Sequence, residues 1–565
     1  MDHKPTCNII TTPLVTTPSV APSKSINNDL AATVVRQVAQ QNDKIPSVNY
    51  KLWAEEFRKL IVPNKHLITD LTHDDVNNLQ DKPGQRARFE LAKDTMGVGG
   101  NNKLQTFIKG EGYEALTAPR SITQMKTIIT VNMSRFTIPF KEQILKKLDW
   151  YAPGKTPDQC LDRIVQIGIR GLIDTDYTKF DGTISKWLQY NIVQKTYMRG
   201  LTTECSVEFM ELFEQIFKQR GITSSGIRFD AGWGTRSGSP LTTDGNTMIN
   251  AFVCFAALRT LGFSAKESWN RLGIYAGDDG LSRNIEGLEK ALIDVANDLG
   301  LILKIQSHAP NEPVPFLGRI IPRPLTHRDS YQDIKRTLPK IHLTFNKECP
   351  IEQAGYNKAA GYLVTDALTP IISDWAYTVI SNSGLKEVKN CRNEELWKLK
   401  QAWPQNDEEL IFECVAKDMN LTPDELIKIR WDILMVGGTF PLLMPIVYEN
   451  IVEHKLDGLR GDDVIANTGT RVMKTDFICP TKRNYKQHIT SGGRLEPNTF
   501  TKPSKNIVER NASGKPKAYA RGTNVMDPSR SHSNISSELY SVHPLNQLTE
   551  ESTMKSGNSG QNFGN

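Results

Sequence analysis

Along the middle of the chain the spacing of apolar positions switches repeatedly between strand and helix periods. GLIDTDYTKFDG, from Gly171, reads as a short buried strand that runs into a turn. SKWLQYNIVQKTYM, from Ser185, has helical spacing behind a serine start signal. NTMINAFVCFAALRTL, from Asn246, reads as a buried helix directly after a Gly/Ser/Pro loop. In GIYAGDDGLSR, from Gly273, apolar and aromatic residues lead up to a tight acidic turn and resume after it, which is a β-hairpin signal. LEKALIDVANDLGLILKI, from Leu288, is an amphipathic helix leading into a strand. This order predicts an α+β fold with helices packed on one face of an antiparallel sheet. The richest apolar stretch, Ile433 to Val452, is broken by Gly437, Gly438, Pro441, Pro445, Glu449 and Asn450. It predicts a core segment, not a bilayer span.

The two ends lack this patterning. Residues 1–45 are rich in Thr, Pro, Ser, Asn and Gln, a composition that predicts a disordered segment. From about Thr481 onward Ser, Asn, Gly, Lys and Pro dominate, and disorder is predicted again. The folded body is then about Val48 to Ile478, within a chain of 565 residues that is too long for a single core. Apolar residues at 38% and charged residues at 23% fit a soluble globular protein. Met1 to Ile10 is polar, so no signal peptide is predicted. Eight scattered cysteines without a C-x-x-C pair point to neither a zinc ribbon nor a disulfide framework, and a reducing compartment is expected. Net charge is +6, and Lys482 to Arg530 alone carries eleven Lys or Arg against three acids. That concentrated positive charge fits three uses: holding RNA, docking on an anionic membrane, or keeping a tail soluble.

The candidate chemistry lies in two acidic clusters, Asp176-Tyr-Thr-Lys-Phe-Asp181 after the strand and Gly277-Asp278-Asp279-Gly280 at the hairpin tip. Mg²⁺ and Mn²⁺ prefer carboxylate oxygens. Two such ions about 3.5–4 Å apart clamp the attacking and leaving oxygens of a phosphoryl transfer. Taken singly, D-D-G is an ordinary hairpin turn and D-x₄-D a common solvated loop. Their company changes the reading. Ser237-Gly238-Ser239-Pro240 opens the helix that carries Thr242 and Asn246, four apart on one face. With Asp181 these could bind the 2′-hydroxyl that separates RNA from DNA. The bland alternative is a helix cap with a polar first turn.

Taken in order, these segments resemble the palm of viral RNA-dependent RNA polymerases of positive-strand RNA viruses. DTDYTKFD looks like motif A, SGSPLTTDGN motif B and YAGDD motif C. Motif D would end at Lys304, Phe316-Leu-Gly-Arg319 looks like motif E, and KGEGYEALTAPRSIT from Lys109 looks like the basic motif F. YAPGKTP ahead of motif A, FDGT at its end, Gly280 after the Asp pair and RTLPKIH from Arg336 are most similar to nodavirus-type replicases. Those replicases carry an N-terminal membrane-anchoring and RNA-capping region. Only about 100 residues precede motif F here, and no anchor is visible.

The resemblance implies a right-hand polymerase with a ferredoxin-like palm sheet. Fingers are expected at 46–168 with an insertion at about 186–236, the palm at 169–323, a mainly helical thumb at 324–455, and an extension at 456–565. Asp176 and Asp278 would be the main ligands of two Mg²⁺ or Mn²⁺ ions, supported by Asp279. Asp181, Thr242 and Asn246 would check the ribose, while Ser237 and Gly238 guide template and nucleotide. Lys109 and Arg120 would hold the triphosphate of the NTP, and Lys304 would protonate pyrophosphate or, on the plainer reading, snorkel at a strand edge. The expected partners are RNA template and product and NTPs, with an anionic host membrane or other replicase components beside them, and no DNA. The expected place is the host cytoplasm, at membrane-associated replication complexes, with no transmembrane segment in this chain. The rival readings are a reverse transcriptase-like polymerase and a non-catalytic viral RNA-binding protein. A reverse transcriptase would typically place a bulky aromatic residue where Asp181 stands.

Overall fold

The computed structural model describes residues 7–80, 83–95, 104–115, 117–217, 219–389, 399 and 402–450, and the backbone of three short strands, Val464–Ala466, Arg471–Met473 and His488–Ile489. The chain divides into two compact units, Met1–Leu495 and Glu496–Asn565, and the described residues all belong to the first. The expectations for the tail from about Thr481, its basic stretch included, otherwise fall outside the described residues.

Ahead of the central sheet come helix α1 (Ile26–Arg36), strands β1 (Leu104–Ile108) and β2 (Ser121–Gln124), and helix α2 (Pro157–Gly168). The predicted buried strand is β3 (Leu172–Tyr177). Strands β4 (Arg220–Thr223) and β5 (Arg228–Asp230) follow it and join β1 and β2 in a second sheet, in the order β5-β4-β1-β2. The predicted buried helix is α3 (Thr242–Thr260), the hairpin is β6 (Ile274–Ala276) and β7 (Asp279–Arg283), and the amphipathic helix is α4 (Leu288–Asp298) leading into β8 (Leu303–His308). The segment from Ser185 is helical as expected, but its middle, Gln189–Gln194, is a π-helical insert between Lys186–Leu188 and Lys195–Gly200.

The central sheet is antiparallel in the order β8-β3-β7-β6. Its register sets Asp176 opposite Lys304, Asp174 opposite Leu281, and Ala276 opposite Asp279. Directly opposed residues project to the same face and successive residues to opposite faces. Asp174, Asp176, Asp279 and Lys304 therefore share one face. The other face, with Ile173, Tyr177 and Tyr275, packs on Phe252, Phe255, Leu292 and Val295 of α3 and α4 in the largest apolar core. The acidic face is walled at its far end by α2 and by a hairpin of β9 (Val314–Phe316) and β10 (Arg319–Ile321), through Leu161, Ile164, Leu281 and Phe316. Helices thus cover one face fully, as predicted, and part of the other as well.

A second core gathers helices α5 (Ile351–Thr365), α6 (Ile372–Ser383), α7 (Glu408–Asp418) and α8 (Pro423–Leu434). The apolar stretch from Ile433 contributes Ile433, Leu442, Met444 and Val447 to it, while Leu443 and Ile446 face outward. Among the described residues no helix is long and apolar enough to cross a membrane.

The expectation that residues 1–45 are disordered does not hold for the part described, from Cys7 onward. Ile10, Leu14 and Val15 are buried in the second core. Backbone bonds seat them there, from Ile10 N to His342 O and from Val447 N to Leu14 O, both 2.8 Å. Helix α1 then packs beside strands β1 and β2 of the second sheet. The Asp29 carboxylate accepts from the backbone N and Oγ of Ser225, Arg36 Nε donates to Ala118 O, and Gln37 Nε2 donates to Ser121 Oγ. Asn42 Nδ2 donates to both Thr183 O and Leu299 O at 2.8 Å. The segment is too polar to fold alone, but Asp29, Arg36, Gln37 and Asn42 find partners on the elements it crosses.

Candidate functional site

The acidic turn owes its shape to two glycines. Gly277 adopts φ +66, which an L side chain rarely does. A Cβ on Gly280 would sit 2.7 Å from Thr175 Oγ1 and 2.8 Å from the Tyr275 ring, so only glycine lets β7 lie this close to β3. Between them the turn brings Asp278 and Asp279 to the strand that carries Asp174 and Asp176.

These carboxylates repel one another. Burial, then Asp279 and Asp176, push the Asp174 carboxyl up to about 7. Burial and Asp278 push Asp279 up to about 6, although Arg336 works against them. Asp181 is also pushed up to about 6, by burial above all and by Asp278, against the hydrogen bond from Asn246 and the charge of Arg120. Among the described residues none of the five has an ion-pair partner within 4 Å. Such a cluster suits divalent cations, which would relieve the repulsion. No three acidic, histidine or cysteine side chains among the described residues make a ready-made metal cage.

Next to the turn opens a cavity of about 910 Å³. Of the residues singled out from sequence, Lys109, Arg120, Asp181, Ser237, Thr242, Asn246 and Asp278 line it. Asp176, Asp279, Lys304 and Gly238 do not, although Asp176 and Asp279 are electrostatically coupled to each other and Lys304 stands opposite Asp176 on β8. Asn246 Nδ2 donates to Asp181 Oδ1 at 2.7 Å, and Asn246 Oδ1 accepts from Thr235 Oγ1 at 2.9 Å. Thr242 Oγ1 donates to Arg236 O at 2.5 Å. Ser237 Oγ accepts from Thr123 N at 3.1 Å, and Gly238 N donates to Thr123 O at 3.1 Å. A Cβ at Gly238 would meet that oxygen at 2.4 Å. The Ser-Gly loop is therefore docked on β2.

On the basic loop between β1 and β2, Lys109 N donates to Arg120 O at 2.8 Å and closes the loop. Glu111 gathers both side chains, with Oε2 2.7 Å from Lys109 Nζ and Oε1 3.7 Å from Arg120 Nε. Burial pushes Glu111 up, but Lys109 and Arg120 outweigh it and hold the group below the usual carboxylate range.

Sequence reasoning missed three residues of this site. Asp174 was signalled by its period-two spacing from Asp176. Glu111 was visible only as an acid between two bases. Arg236, buried beneath the Ser-Gly loop, donates to the carbonyls of Ala231, Gly232 and Gly234, and nothing local in the sequence marks it.

Residues 127–336 match the family model described as viral RNA-dependent RNA polymerase. The chain is 41% identical over 471 residues to an RNA-directed RNA polymerase of Pariacoto virus, a match covering 83% of this chain and 48% of that protein. It is 35% identical to that of Pieris rapae virus, over 80% of this chain and 45% of the relative, and 30% identical to that of Flock house virus, over 68% and 40%. The chain thus spans about half the length of the relatives it matches. Two crystal structures share its fold: the RNA-dependent RNA polymerase of a human picorbirnavirus (TM-score 0.51, 10% identity, 65% of this chain and 76% of that one) and its insertion-loop deletion mutant (0.52, 12%, 73% and 84%). The fold is that of right-hand polymerases.

Proposed function

We propose that the chain is a viral RNA-dependent RNA polymerase of nodavirus type and copies RNA from NTPs on an RNA template, as its match to that family model and its similarity to the polymerases of Pariacoto and Flock house viruses suggest. The observation that carries this reading is the placement, at one cavity, of the acidic turn and of the hydrogen-bonded pair Asp181–Asn246. The pair presents a carboxylate and an amide where a ribose hydroxyl can be tested, a task that a polymerase choosing NTPs over dNTPs requires.

The central sheet with its hairpins would be the palm at 169–323, the basic loop and second sheet the fingers at 46–168 with the insertion at about 186–236, and the helical core from 324 the thumb. The 3′-hydroxyl oxygen of the growing strand attacks the α-phosphorus of the NTP, and pyrophosphate leaves. Asp176 and Asp278, with Asp279, would hold two divalent cations, Mg²⁺ or Mn²⁺, which when bound neutralise charge on the attacking and leaving oxygens. Lys109 and Arg120 lie at the cavity wall to bind the triphosphate, and Glu111 sets their spacing. Thr242 and Asn246 orient the sugar, and the docked Ser-Gly loop fixes the floor beneath the template. Lys304, which stands opposite Asp176 in the sheet, would give a proton to pyrophosphate. The remaining chemistry is positioning and charge neutralisation. RNA and NTPs are the partners of this reading; an anionic membrane in the host cytoplasm fits the basic tail.

Incorporation of labelled NTPs on a defined RNA template, with and without Mn²⁺ or Mg²⁺, tests the proposal. Metal-dependent, template-directed incorporation supports it. Template binding without incorporation at any metal concentration would leave a non-catalytic RNA-binding protein.

A further inference from the structure

We infer that Asn250 and Thr247 of α3 clamp the acidic turn to the ribose-checking helix, so that sugar recognition and placement of the catalytic carboxylates move as one rigid body. The inference rests on the polymerase reading and names positioning residues within it.

Both side chains are buried, with Thr247 fully enclosed and Asn250 nearly so. Asn250 Nδ2 lies within hydrogen-bond distance of three successive carbonyls of the turn, Gly277 O at 3.1 Å and Asp278 O and Asp279 O at 3.2 Å each, which share its two N–H groups. Three carbonyl oxygens demand a donor, which fixes the amide's orientation. Its Oδ1 faces the Tyr177 hydroxyl at 3.4 Å, next to Asp176 on β3. Thr247 Oγ1 donates to Thr243 O at 2.6 Å, which turns a lone pair toward the turn, and there it accepts from Gly277 N at 2.8 Å. One side chain thus joins the strand of Asp176, the helix of Asn246 and the turn of Asp278, and a second pins the entrance of that turn. Gly280 permits the approach, since a Cβ there would lie 3.1 Å from Asn250 Nδ2.

The chemistry of the clamp suits its place. A lysine or arginine could also hold three carbonyls, but it would pair with Asp278 and Asp279 and cancel the charge that cations need. A neutral amide fixes the backbone and leaves the carboxylates their charge. Asn246 lies one helical turn before Asn250, and Thr247 three residues before it. A shift of α3 on meeting the wrong sugar would therefore move the carboxylates too. Reactions that depend on alignment lose rate steeply with sub-ångström displacement.

The test compares wild type with Asn250→Ala, Thr247→Val and Thr247→Ser in the full chain, by Mn²⁺ titration and by NTP-against-dNTP competition on one RNA template. The clamp predicts that Asn250→Ala raises the half-saturating Mn²⁺ concentration about tenfold and narrows the NTP/dNTP ratio several-fold, with template affinity unchanged. Thr247→Val, which keeps the side chain's shape, should do the same to a smaller degree, and Thr247→Ser should restore wild-type values. A purely structural role would lower the active fraction for both sugars alike, and so would leave metal midpoint and ratio where they were. That result in the Thr247 pair overturns the clamp even if Asn250→Ala does not fold. Absence of metal-dependent incorporation by wild type overturns the polymerase reading itself, and this inference with it.

Discussion

The acidic turn and the N-terminal segment are both polar, loop-rich pieces of chain, and they are ordered by opposite means. The turn is held from within a few residues and from one helix: Gly277 bends it, Gly280 seats it, and Asn250 and Thr247 tie it down. Its side chains are left in mutual repulsion, which a bound cation would relieve. The N-terminal segment has no such local scaffold. It is ordered by contacts made hundreds of residues away, from Trp375 Nε1 on Thr11 Oγ1 and Met444 N on Thr12 Oγ1 to Asn42 on Leu299. One region sacrifices stability for chemistry. The other joins the two main cores and lends Arg36 and Gln37 to the cavity wall. Damage to the turn should therefore cost activity at constant stability, and damage to the segment's apolar anchors Ile10, Leu14 and Val15 stability at constant activity per folded molecule.

The sharpest way to break this contrast is at the turn. Asp278→Asn, and likewise Asp176→Asn, should reduce incorporation by about 10³-fold or more, since each removes a proposed metal ligand. The unfolding midpoint should hold or rise, because one member of a repelling cluster has been neutralised. Near wild-type turnover in either variant would remove that residue from the metal site. A smaller effect is expected at the cavity wall. Asp181→Ala should narrow the NTP-over-dNTP preference by about tenfold, whatever it does to the absolute rate, because the partner of Asn246 is lost. Competition between matched NTP and dNTP measures it, and an unchanged ratio would move sugar selection elsewhere.

What could be read from sequence follows the same division. The turn, β3 and the start of α3 are contiguous stretches in which chemistry dictates residue type, so D-x₄-D, G-D-D-G and S-G-x₃-T-x₃-N stand out against the apolar periods around them. The order of the elements and the antiparallel sheet followed from those periods, but the order of strands within the sheet did not. Asn250 was harder: its four-residue spacing from Asn246 is visible, but a buried asparagine in an apolar helix declares no partner. The N-terminal segment was misread because composition measures only what a segment can bury by itself. Ile10, Leu14 and Val15 are few, and they fill a core built by residues 331–447. Nothing local shows that the polar residues from Asp29 to Asn42 have hydrogen-bond partners waiting on several other elements.

For the segment, Leu14→Ala should cost about 2–5 kcal/mol of stability, because a fully buried leucine leaves a cavity where the second core meets the chain's beginning. Chemical denaturation measures the loss, and turnover per folded molecule should stay within about twofold of wild type. A large loss of turnover without a loss of stability would show that the segment takes part in the reaction.

The smallest effect should lie in the pH dependence of the core that holds this segment. His342, whose carbonyl accepts from Ile10 N, is fully enclosed, and neither ring nitrogen has a hydrogen-bond partner. Burial, and then the positive charge of Lys358, push the imidazole down from its ordinary 6.5 to about 3. The unfolded chain takes up this proton below about pH 6.5, whereas the folded chain refuses it until about pH 3. Since the unfolded state binds more protons in that window, stability is fully present above pH 6.5 and declines as the pH falls through it. His342→Leu exchanges an unpartnered polar ring for an apolar side chain, so it should be neutral or mildly stabilising at pH 7 and should flatten the acid limb of the stability curve. Unfolding midpoints from pH 7 to pH 4 for the two proteins check this. Parallel curves would mean that His342 is not what makes the core acid-sensitive. A flattened curve would show that the junction of the N-terminal segment and the second core depends on one histidine staying neutral.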